Sequence, residues 1–302
     1  KKIQKFLNNT DIKVLSSYGH INNLDTGKLD EMISNNFTPL YLNSKDKSKV
    51  IKELKHSGKG KDIILAADDD REGDAIAWHT GNLFKTDYTK NNRITFNEIS
   101  KKAIEKALAN KHTLNMNSVN SQRCRQLLDL LIGFKLSPLL WKHIQTNEKG
   151  LSAGRVQSTL LRMLYDHEQK IKNYEPEFSY DFTGKLHDIT NKQRIIDATF
   201  EISDEYYETI DELDSQSILT LFKNNRVFHV SDRNETQEKR SPPQPFITST
   251  LQQTAQNECG FPIKMTMDIA QKLYENGKIT YMRTDSTYIS SDFKNTIKQL
   301  VT

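Results

Sequence analysis

The chain has 302 residues, 35% hydrophobic and 27% charged, long enough for two or more domains that each bury a core. Its 43 Lys and Arg against 39 Asp and Glu leave a net charge of +4, which permits an anionic partner without demanding one. The longest apolar runs fall far short of the roughly 18 residues of a membrane span, and Lys1-Lys-Ile-Gln-Lys5 lacks a signal peptide's apolar stretch, so a soluble cytoplasmic or nuclear protein is expected. Cys124 and Cys259 form no Cys-x-x-Cys pair, which leaves no readable disulfide framework or zinc ribbon and predicts two ordinary reduced residues. A start at Lys1 without Met and an end at Thr302 in mid-pattern lead us to expect a fragment cut at both ends.

In chain order, Lys2–Asn8 reads as helix, Ile12–Ser16 as strand and Val50–His56 as helix. Ile63–Ala67 then reads as strand, Asp74–Phe84 as helix, Arg93–Phe96 as strand and Lys101–Ala109 as helix. That alternation means α/β. His20 to Lys49 is a polar, loop-like excursion in which Tyr41 could pack. Asn117 to Lys172 is helical with a break at Ser137-Pro138, carrying Leu127, Leu128, Leu131 and Ile132 on one stripe. Phe178–Leu186, Ala198–Ile202 and Arg226–Val230 alternate as strands, with an acidic interval between them, and predict an antiparallel β region. Ser241-Pro-Pro-Gln-Pro245 opens a further helical domain with helices at Thr250–Cys259 and Met265–Asn276, the second stopped by Gly277.

The chemical centre is Ile63-Ile-Leu-Ala-Ala-Asp-Asp-Asp-Arg-Glu-Gly-Asp-Ala-Ile-Ala-Trp-His79. Ile63–Ala67 has the composition of a strand buried on both faces, and acids after such a strand sit where open α/β sheets bind ligands. If the backbone stays extended, the carboxylates of Asp68, Asp70 and Glu72 project to one side. Like charges that close repel unless a cation lies among them, and hard oxygen ligands suit Mg²⁺. Arg71 could bind a phosphate at the same place. The plainer alternative is helix capping, but four carboxylates before Gly73 exceed what a cap needs. A second constellation follows Gly277: in Lys278-Ile-Thr-Tyr-Met-Arg-Thr-Asp-Ser286, Tyr281 and Arg283 share a face if extended. A nearby cation favours phenolate, and Arg283 could also neutralise a phosphodiester. The alternative is an amphipathic strand with a packed Tyr and a solvated Arg. Gly58-Lys-Gly-Lys61 lacks the spacing of a phosphate-binding loop and reads as a basic turn.

Five segments in order resemble the type IA DNA topoisomerases: Asp68-Asp-Asp-Arg-Glu-Gly-Asp-Ala-Ile-Ala-Trp-His79, Arg93-Ile-Thr-Phe-Asn-Glu-Ile99, Ser152-Ala-Gly-Arg-Val-Gln-Ser158, Pro245-Phe-Ile-Thr-Ser-Thr-Leu-Gln-Gln253 and Ile279-Thr-Tyr-Met-Arg-Thr-Asp-Ser286. The likeness is weakest over residues 22–60 and 180–240. The tyrosine motif is more like topoisomerase I than topoisomerase III. The resemblance implies a multidomain α/β plus α plus β fold. Its parts would be a Rossmann-like Toprim domain (residues 1–113), a helical, winged-helix-like DNA-binding module (114–171), an antiparallel β arch (172–240) and the start of a helical tyrosine domain (241–302).

It further implies an isomerase that relaxes negatively supercoiled DNA without ATP. Tyr281 would be the nucleophile that forms a 5′-phosphotyrosine, and Arg283 would hold the scissile phosphate. Asp68 and Asp70 would be Mg²⁺ ligands with Glu72 a third, possible indirect, acid; Asp69 would add charge without binding. Single-stranded DNA would run along Arg125, Gln126, Asp129, Phe134, Trp141 and the Ser152, Ala153, Gly154, Arg155, Val156 and Gln157 turn, with His20 a further contact. Gln126 stands where many relatives have Arg, which removes one phosphate or base contact. By pattern alone, Phe134 and Trp141 read as core more readily than as stacking platforms. No nucleotide cofactor and no membrane are expected, and a monomer is, in the nucleoid-associated cytoplasm if the source is bacterial. The family's acid-base Glu would lie upstream of Lys1, so these 302 residues alone are expected not to relax DNA. Competing readings are a topoisomerase III-like decatenase, a non-catalytic single-strand-binding module and, more distantly, a Mg²⁺ phosphatase using an Asp-x-Asp nucleophile.

Overall fold

In the computed structural model, which describes residues 2–7, 11–144, 150–176, 180–191, 193–200, 212–224 and 226–301, the chain forms two units. The first joins Lys1–Ser158 to Pro242–Thr302, and the second is Thr159–Ser241. No helix among the described residues is long and apolar enough to cross a membrane. The expected helix end at Asn8, strand start at Phe178 and strand end at Ile202 lie outside the described residues.

The first unit opens with α1 (Lys2–Leu7). The next segment, Ile12–Ser16, is not a strand: the Gln4 amide grips it instead, donating to Ile12 O and accepting from Val14 N, each at 2.7 Å. The polar excursion is more ordered than its composition suggests. It folds into β1 (Asn22–Leu24), α2 (Leu29–Ser34) and β2 (Tyr41–Asn43), with β1 and β2 antiparallel. Leu29 and Met32 of α2 are buried with Leu127, a packing partner far along the chain that local composition could not reveal.

After α3 (Ser48–Gly58), the run Ile63–Ala67 makes a single rung of parallel pairing, Leu65 with Arg93, rather than a full strand. Leu65 N donates to Asn92 O at 2.7 Å and Ile94 N to Leu65 O at 3.0 Å. Leu65 is buried, whereas Ile64 is 36% exposed, so the run is covered on one face and not on both. The core beneath it is Leu65, Ala77, Leu114 and Val119. Next come α4 (Arg71–Asn82), α5 (Lys101–Ala109) and α6 (Met116–His143). The Asp70, Ser100 and Asn115 side chains cap them by accepting N–H bonds from the first turns. In α4, Gly73, Ala75, Ala77 and Gly81 are buried; Ala77 packs with Val119 of α6, while Gly73 lies against Asp68 and Gly81 against Tyr88.

The break expected at Ser137-Pro138 does not occur, because α6 runs through Pro138. Proline removes one N–H and crowds the carbonyl four residues back. Here tertiary anchoring outweighs that local cost: Ser137 is buried, and its Oγ accepts from Ala153 N at 3.0 Å. Helix α7 (Arg155–Lys172) begins in the first unit and continues into the second.

The second unit contains β3 (Phe182–His187) and β4 (Ile195–Phe200), paired antiparallel from Phe182 with Phe200 to His187 with Ile195. The region is not all β, since α8 (Glu212–Asn224) follows. Phe222 on α8 meets the Phe200 ring at 4.4 Å and the Phe182 ring at 6.0 Å between centroids. Apolar spacing served the helix here, so the acidic interval misled as a boundary between strands. Arg226–Val230, expected as a strand, forms no strand; Val227 and Val230 are 62% and 86% exposed and have no face to cover.

The chain returns to the first unit through α9 (Thr248–Cys259), α10 (Ile263–Glu275) and finally α11 (Ser291–Val301). Helix α10 ends in paired bonds, Lys278 N to Leu273 O at 2.9 Å and Gly277 N to Tyr274 O at 2.7 Å. Gly277 has φ +60°, and a Cβ there would fall 2.4 Å from Ile99 O, so only glycine lets this turn sit against the Asn97–Ile99 backbone. Residues 278–286 are not a strand. Tyr281 N donates to Asn97 O at 2.7 Å, and the Thr248 hydroxyl donates to Met282 O at 2.8 Å.

The polar keystone of the first unit is Arg93, which is 0% exposed. Its guanidinium donates to Ala67 O and Asp68 O at 2.7 Å each, to Ile94 O at 2.8 Å, and to the Asp74 carboxylate at 3.2 Å. Replacing Arg93 with Met would leave the Asp74 charge and three carbonyls without their donor. Arg93→Met is expected to cost about 3–5 kcal/mol, as for other broken buried ion pairs. Urea unfolding of the two proteins checks this, and a loss under about 1 kcal/mol, within the range of an exposed ion pair, would remove Arg93 from that role.

Candidate active site

The acid loop is fixed at both edges. Arg93 holds the carbonyls of Ala67 and Asp68, while Asp70 caps α4 by accepting from Gly73 N at 2.6 Å. Gly73 is required by contact: a Cβ would fall 2.0 Å from the Asp68 carbonyl oxygen. Thus the capping reading is correct for Asp70, yet capping uses only its Oδ1. Asp68 is half-buried, and that burial raises its pKa first, followed by repulsion from Asp70; the Tyr274 hydroxyl, Arg283 and Arg93 oppose the rise.

The expected one-sided array does not extend to Glu72. The backbone turns helical at Arg71, which sends Glu72 to His20, 3.1 Å from His20 Nε2. Among the described residues, no three His, Cys, Asp or Glu side chains form a ready ligand group for a metal ion. Asp68 and Asp70 nevertheless fit a divalent cation: both offer hard oxygens, and their mutual repulsion is the strain a cation would relieve.

Tyr281 reaches this loop from far along the chain. Its hydroxyl donates to Asp70 Oδ2 at 2.6 Å across 211 residues of sequence. The ring is buried and packs in a cluster with Ala270, Tyr274 and Met282. Proximity to Arg283 suggested a favoured phenolate, and the structure reverses that expectation. Burial raises the Tyr281 pKa most, the hydrogen bond to Asp70 and the charges of Asp68 and Asp70 raise it further, and Arg283 only opposes them. Tyr281 and Arg283 also share no strand face, since Tyr281 and Met282 are both buried and Arg283 is exposed.

Arg283 instead lines a cleft of about 440 Å³ with Asp70, Arg71, Glu72, Gln122, Arg125, Gln126 and Asp129. Four of the residues singled out by sequence along α6 and beyond therefore meet the acid loop: Arg125, Gln126, Asp129 and Arg283. Asp129 is engaged by Arg155 at the start of α7, at 2.9 and 3.2 Å, and that hydrogen-bonded guanidinium holds its carboxyl below the usual range. The turn before α7 is internally braced. Gln157 Nε2 donates to Ser152 O and Oγ at 2.8 and 2.9 Å, Ala153 N to Ser137 Oγ, and Gly154 N to Ser158 Oγ at 3.2 Å. Val156 stands 64% exposed. Phe134 and Trp141 are not core residues: they are 52% and 62% exposed, though Trp141 donates its indole N–H to Leu151 O.

Sequence reasoning missed Arg93, Tyr274, Gln122 and the group around His79. Arg93 was visible as the charged first residue of an apolar segment and of a family-like one, neither of which gives it a role at the acid loop. Tyr274 continues the buried stripe Thr266, Ala270, Tyr274, whose spacing signals packing rather than chemistry. His79, 1% exposed, lies edge-on to Tyr41, Trp78 and His20, with Arg123 stacked 4.7 Å over the Trp78 ring. Neither nitrogen of His79 has a hydrogen-bond partner among the described protein atoms.

Comparison with known proteins shows the family. A model of the Toprim domain matches residues 1–99, which contain the acid loop. A model described as DNA topoisomerase matches residues 113–302, so the chain belongs to the DNA topoisomerase family, of the bacterial type IA kind. It is similar to the full-length topoisomerase I of Thermotoga maritima, at 35% identity and a TM-score of 0.81. All of this chain is matched in that comparison, and it spans 50% of the Thermotoga chain.

His79 gives a pH test of the site's scaffold. Burial lowers its pKa from 6.5 to about 4, helped by the charges of His20 and Arg123, so the fold holds it neutral. The unfolded chain then binds the extra proton between those values, and stability must fall as pH drops through that window. The loss is at most about 3 kcal/mol. Urea unfolding between pH 7 and 4.5 should show the decline, and His79→Leu should flatten it; equal slopes in both proteins would refute the assignment.

Proposed function

We propose that the chain provides the cleavage chemistry of an ATP-independent type IA topoisomerase, with Tyr281 as nucleophile on a single DNA strand. The observation that carries this is the 2.6 Å hydrogen bond from the Tyr281 hydroxyl to Asp70, which joins the tyrosine to the acid loop. The phenolic oxygen would form a bond to phosphorus, the bond from phosphorus to the 3′-oxygen would break, and a 5′-phosphotyrosine with a free 3′-hydroxyl would result. Asp70 Oδ2, already accepting the phenolic hydrogen, would take that proton, and a proton passed on from it to the departing 3′-oxygen would complete the free 3′-hydroxyl. Because one phosphoester replaces another, reversal needs no nucleotide energy.

Arg283 in the cleft would hold the scissile phosphate, and Arg71 and Arg125 would follow the backbone on either side. Asp68 and Asp70 would hold Mg²⁺, with Glu72 joining only if it left His20. When bound, Mg²⁺ would offset the negative charge gathered at phosphate and carboxylates. The exposed faces of Phe134 and Trp141 suit base stacking. We propose negatively supercoiled DNA as substrate, His20 and the Ser152–Gln157 turn as further contacts, and action as a monomer.

Tyr281→Phe should abolish the denaturation-resistant protein–DNA adduct formed with single-stranded DNA while leaving DNA binding within about threefold, since only a hydroxyl is lost. Chelation of divalent cations should also stop strand rejoining. Adducts persisting in Tyr281→Phe would displace Tyr281 as nucleophile. Tight DNA binding with no adduct, even in a chain extended upstream of Lys1 to supply the expected acid-base Glu, would favour a binding module.

A further inference from the structure

Tyr274 is a second tyrosine at the site, one with no part in the reaction above. It is 2% exposed, its hydroxyl lies 3.5 Å from Asp68 Oδ1, and its ring meets that of Tyr281 edge-on with centroids 5.1 Å apart. Its backbone is fixed by the turn that ends α10, where Gly277 N donates to Tyr274 O. A position with only packing to do would be filled as well by Phe, because a buried hydroxyl without a partner costs about 1–3 kcal/mol. Among the described residues, the polar neighbour of the Tyr274 hydroxyl is the Asp68 carboxylate.

Each of the paired carboxylates is therefore met by a tyrosine hydroxyl, Asp70 by Tyr281 and Asp68 by Tyr274. The two contacts differ in kind. Tyr281 must leave Asp70 to reach a phosphorus, whereas Tyr274 is locked in the core and can keep its place throughout. A fixed donor on one carboxylate oxygen sets the plane of the group and leaves the other oxygen directed to a cation. The edge contact also backs the Tyr281 ring, restricting the directions in which the phenol can swing.

We propose that Tyr274 is a positioning residue that orients the Asp68 carboxylate for a divalent cation and supports the ring of Tyr281. This rests on Asp68 as a cation ligand, and the test separates the two claims. Mg²⁺ alone is titrated calorimetrically into the protein and its Asp68→Asn, Tyr274→Phe and Tyr274→Leu variants. Loss of an outer partner of a metal ligand typically weakens affinity by about 10–100-fold. A weakening of about tenfold or more is expected in Tyr274→Phe, with a matching shift in the Mg²⁺ needed for half-maximal strand rejoining.

Tyr274→Leu should weaken Mg²⁺ binding to the same degree and, having also lost the ring, should form the DNA adduct more slowly at saturating Mg²⁺. Binding that is unchanged in Tyr274→Phe but weakened in Asp68→Asn overturns the inference alone. Binding unchanged in Asp68→Asn overturns the cation reading of Asp68. A loss confined to Tyr274→Leu would reduce Tyr274 to packing and also overturn the inference.

Discussion

The buried guanidinium of Arg93 is the interaction on which the rest of the first unit depends. A strand deep in a sheet has both edges satisfied by neighbours, but among the described residues Ile63–Ala67 pairs at a single rung, Leu65. The carbonyls of Ala67 and Asp68 would be left without donors at the point where the acid loop begins, and Arg93 supplies both. Its fork can do so because it presents several N–H groups in one plane. The same group pairs with Asp74 on the first turn of α4, so strand end, acid loop and helix start are held by one side chain. Its charge also lies beneath the carboxylates and eases the ionisation of Asp68 against burial and Asp70.

From that base the site is completed by distant sequence. The turn after α10 presses Gly277 against Ile99 O, and Tyr281 N binds Asn97 O, so the segment 97–99 that follows Arg93 is the seat for the tyrosine segment. Thr248, at the start of α9, holds the other side: its hydroxyl donates to Met282 O and accepts from Thr284 N at 3.0 Å. The backbone around Tyr281 is thus anchored on both sides. Beyond the packing of its ring, the Tyr281 side chain is tethered by the hydrogen bond from its hydroxyl to Asp70.

Helices with strong local signals were legible in sequence. Lys101–Ala109 is α5 to the residue, and α9 and α10 lie within two residues of their expected ends. Elements that depend on distant partners were not. Pro138 breaks helices by local rules but is carried across by the buried Ser137, and the polar stretch before Lys49 gains α2 because Met32 finds Leu127. Of the proposed site residues, Asp68 and Asp70 stood out because so many acids after an apolar run exceed what a cap needs, whereas Tyr281 and Arg283, an ordinary packing pattern in isolation, stood out only through the resemblance to a family. The expected alternation of Glu72 failed because period-two geometry ends where the helix begins. The ionisation preference of Tyr281 was misjudged because sequence places Arg283 two residues away, while only the fold places Asp70 at 2.6 Å and buries the ring. Arg93 and Tyr274 were invisible as site residues, since their importance lies wholly in what they touch.

The hydrogen bond between Tyr281 and Asp70 also says something about when cleavage can occur. A hydrogen bond to a charged group contributes about 1.5–3 kcal/mol, and this one favours the protonated phenol. Burial acts in the same direction. The chain without DNA is therefore arranged so that its proposed nucleophile is protonated, sheltered and tied to a carboxylate. A phosphodiester entering the cleft would meet Arg283 and Arg125 first, because those side chains are exposed and line it. With that charge neutralised, the proposed reaction would have the phenol move from Asp70 toward phosphorus, the phosphate replacing the partner it gives up. On the proposed mechanism, strand breakage would be conditional on a bound strand, and the condition would be set by the same carboxylate proposed to receive the proton.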